Sequence, residues 1–316
     1  MLNYCTLFDS KYLSRGLAMY ESLKKHSNNF HLYIFAFDAR SYNLLKKLNL
    51  ALATIIFLSE FEDEDLLKVK KHRTQVEYCW TCTPAVIKYC IENFNLESCT
   101  YLDADIYFFS DPNILIKEMD GKSILLTKHR YTPKYDQTLT SGVYNVQFVT
   151  FKNDTNGMKA LNWWRNSCIT WCYNRVENNK FGDQKYLDDW TVRFEGVHVL
   201  KHLGGGVAPW NVQQYKLKEK SFELIFYHFH GFKFLLNDQV NLGSYQLRKE
   251  DIKILYKPYL IHLKKIKENI LFSNDSYDYH GTVTSKKFNW KDPIKYLRNL
   301  LYRTHNIYHI NYILEL

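Results

Sequence analysis

Two carboxylates stand at the end of an apolar segment. In residues 99–109, Asp103 and Asp105 are surrounded by apolar, β-branched and aromatic residues that are typical of a buried strand. Residues two apart in an extended chain share one face, so these two carboxylates should converge. Converging carboxylates repel each other unless a cation lies between them, and such oxygen ligands suit magnesium or manganese shared with substrate phosphates. The spacing and its context predict a divalent-metal site.

The same spacing has a different interpretation elsewhere in the chain. Asp63 and Asp65 lie in an acidic segment that opens a helix-like run. Negative charge at a helix N-terminus complements the helix dipole, so this pair predicts no metal. The position after a hydrophobic strand distinguishes Asp103 and Asp105. A hydrogen-bonded structural pair is the alternative for them.

Strand-like and helix-like segments alternate in the first third of the chain. This alternation predicts parallel strands joined by right-handed crossovers, and such sheets bind ligands at the carboxyl ends of their strands. Asp9, Asp38 and Asp103 lie at such ends. Before the aspartate strand, we expect Thr83 to cap a helix that has Pro84 at its first position. The strand patterns lie in residues 3–8, 31–38, 54–58 and 99–109.

Composition and charge favour an anionic partner. The 316 residues are 46% hydrophobic, as expected for a globular protein. Their net charge of +9 favours an anionic partner such as a nucleotide, a phospholipid headgroup or nucleic acid. Residues 251–316 hold eleven Lys/Arg against six Asp/Glu. We expect them to form a mainly helical basic appendage, with Asp292 and Pro293 starting an amphipathic helix. That helix either attaches to an anionic membrane or docks on the preceding domain.

The opening residues already have a strand pattern, and the seven cysteines are an odd number. We therefore expect a chain without a leader, in the cytoplasm, with reduced thiols. The longest apolar run, residues 50–58, is about half of what spans a bilayer. Any membrane contact is expected to be peripheral, at the inner membrane face.

Four motifs, taken in order, resemble the bacterial members of glycosyltransferase family 8, which have the GT-A fold and transfer a sugar from a nucleotide diphosphate. The resemblance covers about residues 3–235 and implies an α/β fold with a mixed, mostly parallel central sheet flanked by helices. A Rossmann-like nucleotide-binding half would lie within a catalytic domain of residues 1–250, followed by the appendage of residues 251–316. The motifs are residues 9–12, residues 101–105, residues 141–143 followed by Asp183 and Gln184, and residues 228–233.

The resemblance implies that several of these residues bind a metal-bound nucleotide. Asp9 would accept from the base and Tyr12 would stack on it. Asp103 would contact the ribose and the metal, and Asp105 would bind the metal. Lys233 would place a positive charge on the β-phosphate. The alternatives are a helix cap for Asp9 and a solvated surface side chain for Lys233.

The remaining matching residues would complete the metal site and act on the sugar. His228 would be the third metal ligand, although His230 shares its strand face and is an alternative, and either histidine could instead be a hydrogen-bonded core residue. Asp183 would hold donor or acceptor hydroxyls, with a helix N-cap as its alternative. Gln184 would lie beside the reacting carbon. The resemblance also implies retention of the anomeric configuration.

Some positions depart from the family pattern. Thr140 stands where an asparagine is usual, and Thr83 where an arginine or lysine is common. The spacing from Gly231 to Lys233 is one residue shorter than usual. These departures concern contacts to the donor sugar more than contacts to UDP.

The expected function is a metal-dependent retaining glycosyltransferase that uses Mn²⁺ or Mg²⁺. It would transfer a hexose from a UDP-sugar to a glycan or glycolipid acceptor, in the synthesis of lipopolysaccharide or another cell-surface polysaccharide. One alternative is a nucleotidyltransferase that forms the sugar nucleotide, which needs a glycine-rich basic loop after the first strand. The other is a basic nucleic-acid-binding protein, whose aromatic residues would lie among Lys/Arg on an exposed face. Neither pattern is evident, and no nucleic-acid partner is expected.

Overall fold

The computed structural model describes residues 1–271, 277–284 and 304–316. The helix expected to start at Asp292 and Pro293 lies outside these ranges. The described strands are β1 (Leu2–Phe8), β2 (Phe30–Ala36), β3 (Ala53–Phe57), β4 (Ser98–Leu102), β5 (Ile106–Phe108), β6 (Ile124–Lys128), β7 (Tyr144–Lys152), β8 (Val197–Val199), β9 (Phe226–His228), β10 (Lys233–Leu235), β11 (Gln239–Asn241) and β12 (Ile307–His309).

Helices separate most of these strands. The described α-helices are α1 (Leu13–His26), α2 (Ala39–Leu48), α3 (Leu58–Phe61), α4 (Glu64–Lys70), α5 (Gln75–Asn93), α6 (Asn113–Lys117), α7 (Thr138–Ser141), α8 (Thr155–Thr170), α9 (Trp190–Arg193), α10 (Lys249–Asp251), α11 (Lys257–Leu271) and α12 (Ile310–Glu315). A π-helical turn, Ile252–Tyr256, connects α10 to α11. Among the residues that the structure describes, no helix combines the length and the apolar character that crossing a membrane requires.

The central sheet has seven strands in the order β3-β2-β1-β4-β7-β6-β8. Strands β1 to β4 are parallel, β7 is antiparallel to both β4 and β6, and β8 is parallel to β6. Aliphatic and aromatic side chains fill both faces of the sheet because helices cover both sides, as the continuous apolar character of β1 and β2 requires. The predicted mixed, mostly parallel sheet flanked by helices is confirmed.

The strand order reverses between β1 and β4. The chain leaves β1 to form β2 and β3 on one side, and then returns to add β4 on the other side. In parallel sheets the carboxyl ends of two such strands leave a crevice between the diverging connections, and ligands bind there. Asp9 follows β1, and Asp103 follows β4, so the fold brings both to this crevice.

A two-stranded antiparallel sheet lies beside the crevice. Strand β5 pairs with β9, and Ile106 is the register partner of His228. Asp105 directly precedes β5 in the chain. This pairing therefore brings the end of β9 next to the predicted metal-binding aspartates, although the two segments are far apart in sequence.

The helix before β4 begins earlier than expected. Thr74 caps α5, and Thr74 and Glu77 form a reciprocal capping box, so the expectation that Thr83 caps this helix is wrong. Pro84 lies inside the helix, where the buried apolar face of α5 outweighs the loss of one backbone hydrogen bond. Asp63 caps α4 by accepting from Leu66 N at 3.1 Å, as the acidic segment predicts.

The described residues beyond position 250 pack against the start of the chain. Leu255, Tyr259 and Leu263 belong to the same buried cluster as Leu13 and Leu17 of α1. Strand β12 extends a three-stranded sheet with β10 and β11. The division into residues 1–250 and 251–316 stays a prediction, but part of the second segment contributes to the common core.

Candidate functional site

One cavity of about 770 Å³ opens at the carboxyl ends of β1 and β4. Its wall combines the turn after β1, the start of α5, the segment after β4 and the segment after β9. Every residue predicted to bind the nucleotide, the metal or the sugar lines it: Asp9, Tyr12, Asp103, Asp105, Asp183, Gln184, His228 and Lys233.

Asp103, Asp105 and His228 form a compact group of metal-ligand atoms. One ligand atom from each residue lies within 4.8 Å of the others. His228 Nε2 is 3.1 Å from Asp105 Oδ1 and 3.7 Å from Asp103 Oδ2. His230 is outside this group and is exposed, so the structure brings His228 and not His230 to the two aspartates.

A buried glutamine orients the His228 ring. Gln147 Oε1 lies 2.5 Å from His228 Nδ1, and an amide oxygen can only accept, so Nδ1 carries the proton in this hydrogen bond. Nε2 is thereby directed at the carboxylates with its lone pair available for a metal. Metal-binding histidines commonly have a partner of this kind on the second ring nitrogen.

The three groups influence each other's protonation. Burial favours a raised pKa for Asp105, but the neighbouring His228 outweighs it and lowers the pKa to about 2. Burial favours a lowered pKa for His228, but Asp105 outweighs it and raises that pKa. Burial raises the pKa of Asp103 to about 6, with His228 opposing and Asp105 adding to the effect. Without a metal, the proton that His228 then carries on Nε2 pairs with Asp105; a metal ligated by Nε2 would take the place of this proton and of its compensating charge.

This donor set fits a divalent metal. Mn²⁺ accepts both the two carboxylates and the imidazole, whose ring is oriented by its hydrogen bond to Gln147. Mg²⁺ favours the two carboxylates. The mutual distances of the ligand atoms allow all three side chains to reach one ion.

Asp9 and Tyr12 lie on the turn that follows β1. Asp9 Oδ1 accepts from Lys11 N at 3.0 Å and from Tyr12 N at 3.1 Å, so the cap that was the alternative for Asp9 is present. Its second oxygen accepts from the side chain of Gln75. The Tyr12 ring is 38% exposed, and its hydroxyl donates to Asp105 Oδ2 at 3.4 Å. The nucleobase contacts of Asp9 and Tyr12 stay predictions.

Asp183 and Gln184 line the same cavity at the start of a 3₁₀ turn, Gln184–Leu187. The Asp183 side chain makes no capping hydrogen bond to the turn that follows it. It is buried, and burial together with the charge of Asp103 raises its pKa to about 7. Gln184 Nε2 donates to Ser141 O at 2.7 Å, which ties the amide to the segment before β7.

Lys233 and His230 lie at the exposed edge of the cavity. Lys233 is the first residue of β10, is exposed, and forms no ion pair within the described part of the chain. The rings of His228 and His230 pack on Trp210, with ring centroids 5.4 and 5.5 Å away. The cavity thus has an exposed cation at its edge and a buried metal-ligand group inside.

Sequence reasoning missed the residues that support the predicted ligands. Asn145 and Gln147 are buried on β7, and Asn145 Oδ1 accepts from Gln147 N at 2.7 Å. Their signal is visible in retrospect, because two amides on the same face of an otherwise apolar strand are unusual. Arg15 also lines the cavity, but it lies within an ordinary helical pattern that carries no such signal.

The fold and the site define the class to which the protein belongs. The seven-stranded sheet with a carboxylate and histidine group at its switch point has the GT-A fold of glycosyltransferases. Similar solved structures include the galactosyltransferase LgtC in complex with donor and acceptor sugar analogues, at 12% identity and a TM-score of 0.50, covering 73% of this chain and 87% of LgtC. No family model matches the chain, and membership of family 8 stays a prediction.

Two larger glycosyltransferases have the same fold. The bifunctional WbbM matches at 12% identity and a TM-score of 0.53, covering 84% of this chain and 51% of WbbM. GlyE from Streptococcus pneumoniae matches at 13% identity and a TM-score of 0.50, covering 86% of this chain and 64% of GlyE. The chain spans about half the length of WbbM and about two thirds of GlyE, and at these identities the likeness concerns the fold alone.

Sequence relatives assign the chain to a family. The protein YfnD of Bacillus subtilis is 34% identical over 279 residues, which cover 83% of this chain and 89% of YfnD. The protein YfnF of the same organism is 29% identical over 272 residues, which cover 81% of this chain and 89% of YfnF. Both relatives are described as uncharacterized. The chain belongs to the family of YfnD.

Proposed function

We propose that this protein is a metal-dependent retaining glycosyltransferase that transfers a hexose from a UDP-sugar to a glycan or glycolipid acceptor. The observation that carries the proposal is the convergence of Asp103, Asp105 and His228 inside the cavity at the switch point of a GT-A sheet. The aromatic side chains of the described residues support it as well, because most of them are buried and are not grouped with Lys/Arg on an exposed face.

The residues of the cavity have separate roles in this proposal. Asp103, Asp105 and His228 hold Mn²⁺ or Mg²⁺, and Asp9 and Tyr12 bind the base. When bound, the ion supplies Lewis-acid stabilisation of the charge that develops on the leaving diphosphate. The exposed Lys233 adds a point charge at the same place. The resemblance to family 8 and the common cavity support these assignments.

Asp183 and Gln184 are proposed to act on the sugar. Asp183 is buried, and its pKa of about 7 lets its carboxyl group accept from a sugar hydroxyl when ionised or donate to one when protonated. Gln184 is fixed by Ser141 and is positioned beside the reacting carbon in the proposed retaining reaction. The leaving diphosphate and the attacking hydroxyl would lie on the same face of that carbon.

We place the reaction at the cytoplasmic face of the inner membrane, in the synthesis of lipopolysaccharide or another cell-surface polysaccharide. The basic character of residues 251–316 supports a peripheral attachment to anionic lipid. An acceptor that is itself a membrane glycolipid would be reached from such a position.

Incubation of the purified chain with Mn²⁺ and a panel of UDP-sugars tests the proposal. We expect UDP release from at least one donor, and we expect Asp105→Asn to lower that release by more than about a hundredfold. Calorimetry should show that the variant also loses Mn²⁺-dependent UDP binding. Asp65→Asn is a matched control, because it changes an exposed aspartate of the other pair with the same spacing.

Two outcomes would contradict the proposal. Unchanged UDP binding by a folded Asp105→Asn variant would show that Asp103, Asp105 and His228 do not take part in nucleotide binding through a metal. Release of pyrophosphate from UTP and a sugar phosphate, without UDP release from any donor, would favour the nucleotidyltransferase instead. Circular dichroism and the melting temperature separate either result from loss of the fold.

A further inference from the structure

Residues 277–284, which we call the C-terminal strap, pack against the start of α1. Ser14 N donates to Tyr279 O at 3.1 Å. Ser14 Oγ and His280 Nδ1 share a hydrogen bond of 2.7 Å, and His280 is buried. The strap is therefore bonded to the helix that directly follows the turn carrying the proposed base-binding residues.

The strap also forms part of the cavity wall. Gly281 and Val283 line the cavity, and Val283 N donates to Phe234 O at 2.9 Å, next to Lys233 in β10. Gly281 has a φ of +61°, and a Cβ at this position would come within 2.7 Å of Lys11 O. The strap thus contacts both the turn after β1 and the strand that carries Lys233.

One buried guanidinium joins these segments. Arg15 is 3% exposed, and its Nη1 donates to His280 O at 2.8 Å and to Lys11 O at 3.4 Å. Its Nη2 donates to Phe232 O at 3.3 Å, one residue before Lys233. The three carbonyl groups belong to the strap, to the turn after β1 and to the segment after β9.

Arg15 acts on Asp105 only at a distance: its charge lowers the pKa of that carboxyl group, but the two side chains form no ion pair. Over the ranges 1–271, 277–284 and 304–316, no carboxylate forms an ion pair with it, and its Nε has no hydrogen-bond partner. A buried cation without a contacting carboxylate is unfavourable, and here the three carbonyl groups and the rings of Tyr12, Phe232 and Phe234 surround it instead. Its guanidinium lies 4.5 Å from the Tyr12 ring centroid and lines the cavity in which a nucleoside diphosphate is proposed to bind.

We propose that Arg15 and the C-terminal strap are positioning elements of the donor site, which hold Tyr12 and Lys233 in place for a nucleoside diphosphate. This inference rests on the proposed function. Arg15 donates from two separate nitrogen atoms of a rigid plane, whereas a lysine ammonium offers its three donors from a single nitrogen on a flexible stem and would not hold the three segments in the same way. Residues beyond position 250 then build the donor site directly, in addition to any role at a membrane.

Two single substitutions in the full chain test this inference. Arg15→Lys keeps the charge and removes the planar fork, and Gly281→Ala forces the strap away from Lys11 O. Gly121→Ala is the matched control, because Gly121 also has a positive φ, +81°, but a Cβ there meets no atom within 4 Å. Calorimetry with UDP in the presence of Mn²⁺ measures donor-site binding, and steady-state kinetics separate KM from kcat.

We expect each test variant to raise the Kd for UDP and the KM for the donor about tenfold, the effect of one lost hydrogen bond to a charged group. The kcat should stay within about threefold, because neither residue is proposed to touch the reacting carbon. The double variant should lose little more than one single variant, because both changes act through the same contacts. Gly121→Ala should bind UDP as the unmodified chain does.

Unchanged UDP affinity in folded Arg15→Lys and Gly281→Ala would overturn the inference. A lowered melting temperature with unchanged Kd and KM would do the same, because it would assign both residues a purely structural role. If the unmodified chain binds no UDP in the presence of Mn²⁺, the proposed function fails and this inference fails with it. UDP binding by the unmodified chain separates the two failures, because it persists when only this inference is wrong.

Discussion

Gln147 offers a direct way to weaken the proposed metal site without changing a proposed ligand. Its side chain is fully buried on β7, and Oε1 accepts the Nδ1 proton of His228 at 2.5 Å. The substitution Gln147→Leu keeps the approximate volume and removes the acceptor. The His228 ring can then rotate, or its proton can move from Nδ1 to Nε2, and Nε2 is no longer held with a free lone pair 3.1 Å from Asp105 Oδ1.

The size of the effect follows from two independent estimates. Loss of a partner that orients a metal-binding histidine usually lowers metal affinity about 10- to 100-fold. Leaving the buried Nδ1–H without a partner costs about 1–3 kcal/mol, and a free-energy change of this size corresponds to a similar fold-change in metal affinity. Gln147 Nε2 itself has no hydrogen-bond partner, so removing this amide also relieves an unfavourable group and should leave overall stability nearly unchanged.

Titration of the full chain with Mn²⁺, followed by calorimetry in the presence of UDP, measures the effect. We expect the Kd for Mn²⁺ to rise about 10- to 100-fold in Gln147→Leu and to stay close to the original value in Gln147→Glu, which keeps an acceptor. Thr150→Val is a matched control on the same strand, because it removes the buried 2.8 Å hydrogen bond to Thr100 without reaching the ligands. An unchanged Kd in folded Gln147→Leu would refute the assignment of His228 as an oriented ligand.

Two further predictions concern pH and membranes. Burial lowers the pKa of His129 and of His280 to about 3, so the folded protein excludes two protons that the unfolded chain binds near pH 6.5. The free energy of unfolding is therefore fully retained above that pH and should fall on acidification by up to about 1.4 kcal/mol per pH unit for each histidine. Urea unfolding between about pH 6 and about pH 4.5 should show a smaller decrease in His280→Gln, and equal slopes would contradict this. Lys295 and Arg298 are two of the eleven basic residues in the 251–316 segment, and replacing both by glutamate should weaken binding to anionic but not neutral vesicles at low salt. Equal binding to both vesicle types would count against membrane attachment.

The sheet could be predicted from the sequence because its signals are local. Strands β1 and β2 are short apolar runs separated by helical patterns, and such alternation has few solutions other than a parallel sheet. The start of α5 could not be located in this way. Thr83 and Pro84 are a favourable start signal by residue type, but the capping box of Thr74 and Glu77 and the burial of the following face extend the helix past them.

The site was predictable only in part, for a related reason. Asp103 and Asp105 carry a local signal, because two carboxylates that converge after a buried strand need a compensating partner. The remaining matches depended on resemblance to a family rather than on spacing. Gln147 and Arg15 act through contacts that exist only after folding: a glutamine beside a histidine, and a guanidinium among three carbonyls from distant segments.

The proposed metal site depends on the register of two short strands. Ile106 pairs with His228 and Phe108 with Phe226, so three residues on each side determine where the imidazole lies. A slip of one residue would turn the His228 side chain to the opposite face and away from Asp105. Phe226 is fully buried and its ring stacks on Phe148 with centroids 5.4 Å apart, and Phe148 lies next to Gln147 on β7. The packing that fixes the register thus involves the same strand that orients the histidine, and core substitutions that loosen the contact between Phe226 and Phe148 should also displace His228.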